Sequence, residues 1–441
     1  MTVCAPSPPT TGTGNDGSGD SERTERSVSA PGCVLTADGA YAARLALAGE
    51  SWFPERWTLD GPEPYAVPLP GNQPEEPGTE VLPLADGRVL IHRLAADRHL
   101  FSLLYPTGPG TGELPLGAVG CLGGDAELRL LPPSPRGDQA YALAVGRSST
   151  VVWLVAGGTF GPERLAEVPG RCSGGVWLDS AGRLLALDRE SDGRTKTVVV
   201  DLGRDGEVSP LLQIAEGSDD RLLLADPDSG LLLIRSDAPS PGEDRLGWGI
   251  LGSTLPVRFP ECLRLPDHRL TPFAIQPGQI LTPESCGVAL SVEGEAGTWV
   301  GLWRPADRRL HHLPAPEGWL TGSGLWSREG VLRLPYATRA VACGVAWVGA
   351  PWEGEAEAGT AGASGSPAEA SASAMASGSA SAMAMASGSA MASGSVESPG
   401  VQASEVAPTA ADAPAAVAAP RPVPLQQAPL EGRVAAQAGC G

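Results

Sequence analysis

Five histidines, eight cysteines and a few acidic clusters are the residues of this 441-residue chain that could carry chemistry. Their spacing limits what they can do. His311 and His312 are adjacent, so on a strand they face opposite sides and cannot converge on one ion. His92, His99 and His268 stand alone and are read as solvated or singly hydrogen-bonded. The cysteines (4, 33, 121, 172, 262, 286, 343 and 440) lack the Cys-x-x-Cys spacing of a zinc or redox site and are read mostly as small buried hydrophobes, with a disulfide left open. Asp219-Asp220, Asp226-Pro227-Asp228 and the run from Asp188 to Gly193 lack the ligand spacing of a twelve-residue calcium loop and are read as turns. Only two asparagines, Asn15 and Asn72, are available to a metal site. No Gly-x-Ser-x-Gly elbow is present to expose a serine nucleophile. These residues predict no catalytic group, no cofactor and no metal, and hence a protein that is not an enzyme.

The elements around them are set by a repeat. Gly39, Gly87, Gly137, Gly182, Gly230, Gly287 and Gly330 lie 43 to 57 residues apart, and each opens an apolar run. The residues before them form turns such as Thr36-Ala37-Asp38-Gly39, in which Gly supplies a positive φ without a Cβ clash. Strands are predicted at Ala40–Leu47, Arg88–Arg93, Gln139–Val145, Arg183–Asp188, Leu231–Arg235, Val288–Val292 and Val331–Tyr336. A second hairpin follows in most repeats, around Trp153, Val198–Val208 and Trp299–Leu310 for example. Two hairpins per repeat, at a period of roughly 40–50 residues, make an all-β, seven-bladed β-propeller of four-stranded antiparallel blades.

Residues 31–352 supply the propeller. Residues 1–30, polar and without an aromatic, are expected to be a disordered leader. Residues 353–420 hold no aromatic, Lys or Arg and three copies of Met-Ala-Ser-Gly-Ser, so they are expected to be a disordered Ala/Ser/Gly/Met insertion. Arg421-Pro422-Val423-Pro424-Leu425-Gln426-Gln427-Ala428-Pro429-Leu430 is similar to Ser209–Gly217 and His312–Gly318, and residues 421–432 are therefore expected to return as the strand closing blade 7, with 433–441 a tail. A net charge of −20 with a single lysine, Lys196, excludes a phosphate-binding basic patch, so no nucleic acid is expected. Neither a signal peptide nor a stretch of eighteen apolar residues stands out, which predicts no membrane association and a cytoplasmic location. Arginine in place of lysine, with abundant Ala, Gly and Pro, points to a high-GC bacterial genome.

The turns Trp326-Ser327-Arg328-Glu329-Gly330 and Leu35-Thr36-Ala37-Asp38-Gly39 resemble the aromatic-Ser-Pro-Asp-Gly turns of the propeller domain of the prolyl oligopeptidase family and of TolB-type propellers, over about residues 33–350. No Trp-Asp dipeptide of the WD40 class occurs. The resemblance implies the gating half of such a peptidase without its hydrolase domain. Of eleven tryptophans, Trp177 and Trp326 enter turns and Trp153, Trp299 and Trp303 lie on third strands, positions for packing between blades. Trp52, Trp57 and Trp319, close to loops, are the candidates for an exposed partner surface. The function expected is a non-catalytic, monomeric scaffold binding a protein or peptide through its loop faces. The alternative is an accessory or degenerate prolyl-oligopeptidase-like propeller that gates or assists a separate α/β-hydrolase, and a third reading is an enzyme or sugar-binding module using the channel.

Overall fold

The computed structural model describes residues 32–108, 110–120 and 127–352. Their strands form seven antiparallel sheets, each built from strands consecutive in sequence. Blade 1 contains β1 (Val34–Leu35), β2 (Tyr41–Ala48), β3 (Ser51–Thr58) and β4 (Tyr65–Pro68). Blade 2 contains β5 (Glu80–Pro83), β6 (Val89–Ala95), β7 (Arg98–Pro106) and β8 (Thr111–Gly120), and blade 3 contains β9 (Glu127–Leu130), β10 (Ala140–Val145), β11 (Ser149–Ala156) and β12 (Glu163–Pro169). Blade 4 has β13 (Arg171–Trp177), β14 (Leu184–Ser191), β15 (Arg194–Asp201) and β16 (Glu207–Leu212). In blade 5, β17 (Asp220–Ala225), β18 (Leu231–Ser236) and β19 (Arg245–Ile250) are followed by an isolated bridge from Trp248 to Arg258 in place of a fourth strand. Blade 6 has β20 (Arg269–Ile275), β21 (Val288–Gly294), β22 (Gly297–Trp303) and β23 (His311–Leu313), and blade 7 has β24 (Leu325–Trp326), β25 (Val331–Tyr336) and β26 (Gly344–Gly349).

The glycine turns form for the reason the sequence suggests. Gly39, Gly87, Gly137, Gly182, Gly230 and Gly330 all have φ between 69° and 80°. The amide of Gly39 donates to the carbonyl of Thr36 at 2.9 Å, and Gly87, Gly137, Gly182 and Gly330 repeat that bond with the residue three before them. Blade 6 departs from the pattern. Gly287 is not a positive-φ residue; it is required by space, since a Cβ there would lie 2.9 Å from the Trp352 ring and 3.2 Å from that of Trp326. The long segment between β20 and β21 accommodates a one-turn 3₁₀ helix, Pro283–Ser285, which displaces this glycine from the turn.

Successive blades bury their faces against each other, and seven apolar clusters account for seven interfaces. Leu143, Val152, Leu185 and Val198 lie between blades 3 and 4. The pairs 1/2, 2/3, 4/5, 5/6 and 6/7 have equivalent cores. The seventh joins the ends: Cys33, Ala42, Trp57 and Leu59 of the blade 1 region pack with Leu320, Ala337, Cys343 and Val345 of the blade 7 region. Ser323 Oγ donates to the carbonyl of Cys33 at 2.6 Å, and Arg333 Nη1 lies 3.8 Å from Asp60 Oδ1. The fold is a closed seven-bladed β-propeller. Its ring closes by side-chain packing, with no strand exchanged between blades 1 and 7 among the described residues.

The strand order leaves the outer edge of β26 without a partner among the described residues. The expected returning strand at 421–432 lies outside the described residues, as do the leader at 1–30, the insertion at 353–420 and the tail at 433–441. Among the described residues no helix is long and apolar enough to cross a membrane.

Candidate functional site

Because strands alternate in direction, the glycine turns (between first and second strands) and the loops between third and fourth strands emerge on one face of the ring. Buried strands present that face rigidly. Within it lie the two most exposed large apolar side chains among the described residues, Phe160 at 94 % and Leu281 at 92 %. Phe160 is in the loop between β11 and β12. Ile280 and Leu281 are in the long segment of blade 6, and Leu255, also exposed, follows β19 of neighbouring blade 5. Arg328, in the turn of blade 7, accepts a bond on its carbonyl from Gln276 Nε2 and extends its guanidinium to within 3.5 Å of Asp228 in the turn of blade 5. The turns of blades 5, 6 and 7 are thereby tied into one surface.

Two of the three tryptophans expected on a partner surface are interior. Trp57 is fully buried: its indole N–H donates to Glu55 Oε2 at 2.8 Å, the same oxygen accepts from Arg44 Nε at 2.7 Å, and the Arg44 guanidinium sits 4.9 Å from the indole centroid. Trp319 is buried against Phe273, and its N–H donates to the carbonyl of Ser323. Each indole polar atom is satisfied inside the fold, so nearness to a loop in sequence does not bring the ring to the surface. Trp52 is half-buried, at a bridge to Glu75. Trp177, Trp303 and Trp326 are core residues as their strand positions predict.

His92 and His99 do not stand alone. They lie diagonally across β6 and β7, where His92 is paired with Phe101 and His99 with Leu94; both are buried, and His92 Nε2 is 2.9 Å from His99 Nδ1 while His92 Nδ1 is 2.8 Å from Glu80 Oε2. Burial, and then the neighbouring His92, lower the pKa of His99, while Glu80 opposes them. The tight turn at Ala96-Asp97 brings the two rings together, a seven-residue separation that a hairpin reading of β6 and β7 could have exposed. His311 packs near Trp352, whereas His312 Nδ1 accepts from Trp299, so the two adjacent rings do diverge.

Asp226 accepts from the amide and hydroxyl of Ser229 within its turn. Asp192-Gly193, both at positive φ, join β14 to β15 in a tight hairpin. Asp220, in contrast, is a fully buried strand residue that takes Lys196 Nζ at 2.7 Å and accepts from Ser218, Ser236 and the amide of Ile214. The chain's one lysine thus serves the interface between blades 4 and 5. Cys33, Cys172, Cys262, Cys286 and Cys343 are free thiols. Burial pushes Cys33 and Cys343 up to about 12 and Cys286 to about 11, far from the range of a reactive thiolate. Among the described residues no group of three or more His, Cys, Asp or Glu is placed to hold a metal ion.

Inside the ring, the first strands of blades 1 to 5 surround a cavity of about 680 Å³ with apolar walls from Val34, Leu82, Leu131, Pro132 and Leu223. A bulge recurs in the first strands of blades 4, 5 and 6, at Gly174-Gly175 of β13, Leu223 of β17 and Phe273 of β20.

No protein-family profile and no curated protein matches the chain in sequence. Solved structures similar to it include TolB from Acinetobacter baumannii, at 14 % identity over 65 % of this chain and 63 % of that one, with a TM-score of 0.40. Prolyl oligopeptidase B from Galerina marginata, solved with a 35mer hydrolysis and macrocyclization substrate, is 12 % identical over 74 % of this chain and 49 % of its own, at a TM-score of 0.48. The propeller domain of the Trilobed protease from Pyrococcus furiosus, described as having an open velcro topology, is 10 % identical over 72 % and 93 %, at 0.45. The chain spans about half of the prolyl oligopeptidase and under two thirds of TolB. The assignment of this fold rests on its own seven sheets and seven interfaces.

Proposed function

We propose that this chain is a non-catalytic scaffold that binds a protein or peptide partner through the face bearing the glycine turns. The observation that carries the reading is the exposure of Leu281, Ile280 and Leu255 on that face of adjacent blades, with Phe160 on the same side of the ring. Large apolar side chains held out on rigid loops gain most when a partner removes them from water, at roughly 25 cal/mol per Å² of apolar surface buried. Trp57 and Trp319 have no part in this surface, which loops of blades 3, 5 and 6 supply instead.

The test compares the wild-type chain with an I280D/L281D double variant, each used as bait in native-cell lysate with quantitative mass spectrometry. One or a few proteins retained by the wild type and lost by the variant, at equal thermal stability, are expected. Identical capture profiles contradict the proposed face. An α/β-hydrolase among the retained proteins would select the accessory-propeller alternative.

A further inference from the structure

A second feature lies on the inner side of the ring, independent of the loop face, where the first strands of blades 3, 4 and 5 meet. A small cavity of about 140 Å³ opens there, lined by Ser173 of β13, Thr195 of β15 and six charged side chains: Glu127 and Arg129 of β9, Arg171 of β13, Asp188 and Glu190 of β14, and Arg221 of β17. The guanidiniums of Arg129 and Arg221 are held in place by neutral acceptors. Arg129 Nη2 donates to the carbonyl of Gly174 at 3.1 Å, while Arg221 donates to Ser173 Oγ at 3.4 Å and to Thr195 Oγ1 at 3.1 Å. Neither forms an ion pair with a described carboxylate, and each keeps N–H donors uncommitted. Two guanidiniums held with no carboxylate in ion-pair contact among the described residues are suited to receive one, which planar N–H groups bind in pairs.

Of the three carboxylates lining the cavity, Glu127 and Glu190 are exposed. Asp188 is buried, with Oδ1 occupied by the hydroxyl of Thr197 at 2.7 Å and the amide of Leu222 at 3.0 Å. Its Oδ2 lies over Gly174, so close that a Cβ on that glycine would stand 3.0 Å away, and receives no hydrogen bond from the described residues. Burial raises the pKa of this carboxyl, with Thr197, Leu222, Arg221 and Arg129 opposing the shift. A cation delivered to Oδ2 would relieve that desolvation. The wall beside these charges is small and apolar, formed by the buried side chains of Val145 and Cys172.

We propose that this cavity binds a free, small, neutral α-amino acid, with its carboxylate on Arg129 and Arg221, its ammonium on Asp188 and its side chain against Val145 and Cys172. A cavity of this size with fixed charges of both signs suits a molecule carrying both ends on one carbon. A simple anion would use the arginines and leave Asp188 opposed to it.

The experiment is isothermal titration of the full-length protein with L-alanine, N-acetyl-L-alanine, L-alaninamide and inorganic phosphate. Binding of L-alanine at one site per chain, with at least tenfold weaker binding of both blocked forms and of phosphate, is expected. Binding of N-acetyl-L-alanine or phosphate as tight as that of L-alanine would reduce the cavity to an anion site and overturn the proposal, as would no binding of L-alanine. R221Q and D188N should each weaken L-alanine at least tenfold while melting at the wild-type temperature. Should either fail to fold, the comparison of blocked ligands on the wild type decides alone.

Discussion

At the scale of single residues, one physical requirement can be met in two ways, and sequence alone does not separate them. Six of the seven repeat glycines are needed for their positive φ, whereas Gly287 is needed for the space that two indoles leave. At Gly182 and Gly230 the nearest non-neighbouring atoms to an added Cβ are 3.6 Å and 3.5 Å away, so there is room and only the backbone conformation resists. Gly182→Val and Gly230→Val should therefore each lower the unfolding free energy by more than about 1 kcal/mol, the cost of forcing a β-branched residue into that region. Chemical denaturation checks this, and unchanged midpoints for both variants would show the turn assignment to be misplaced. The same limit explains the tryptophans. Strand position correctly marks Trp177, Trp303 and Trp326 as core, but the burial of Trp57 depends on Glu55 and Arg44 satisfying and covering its indole, an arrangement that loop proximity does not encode. The pairing of His92 with His99 and Glu80 was hidden for a similar reason: it depends on cross-strand register.

Strands were the most legible elements, because each follows a glycine turn and is buried on both faces between blades. All seven predicted second strands are found within three residues of their expected ends, from Tyr41–Ala48 in blade 1 to Val331–Tyr336 in blade 7. Fourth strands at Glu207–Leu212 and His311–Leu313 also fall where Ser209–Gly217 and His312–Gly318 suggest. Outer strands pack on one side only, so they carry a weaker apolar signature, and blade 5 replaces its own by one bridge at Arg258. Blade 7 presents β26 as an edge among the described residues, with Trp347 exposed at 61 % and the Arg333 guanidinium 4.6 Å from its ring. An open edge of this kind is ordinarily paired or protected. Pairing of β26 with 421–430 predicts that truncation after residue 420 lowers the melting temperature clearly, whereas deletion of 357–416 leaves it nearly unchanged, since closure cost grows only logarithmically with loop length. Equal melting temperatures for the truncated and full chains would contradict that pairing.

For the molecule as a whole, periodicity made the architecture legible while the binding features stayed hidden. Recurrence every 43 to 57 residues gives the blade number, but Phe160, Leu255, Ile280 and Leu281 share a face, and Arg129, Asp188 and Arg221 share a cavity, only once the chain is wound into a ring. The ring is closed by packing of blade 7 against blade 1, far apart in sequence. Asp60 and Arg333 lie across this junction and both reach solvent. The most direct measurement is cross-linking of a D60C/R333C variant with a short bismaleimide, followed by peptide mass spectrometry. A dominant intramolecular link between positions 60 and 333 in the native protein, lost in denaturant, is the predicted result. Its absence from natively folded protein, with both introduced thiols modified singly, would contradict a closed seven-bladed ring.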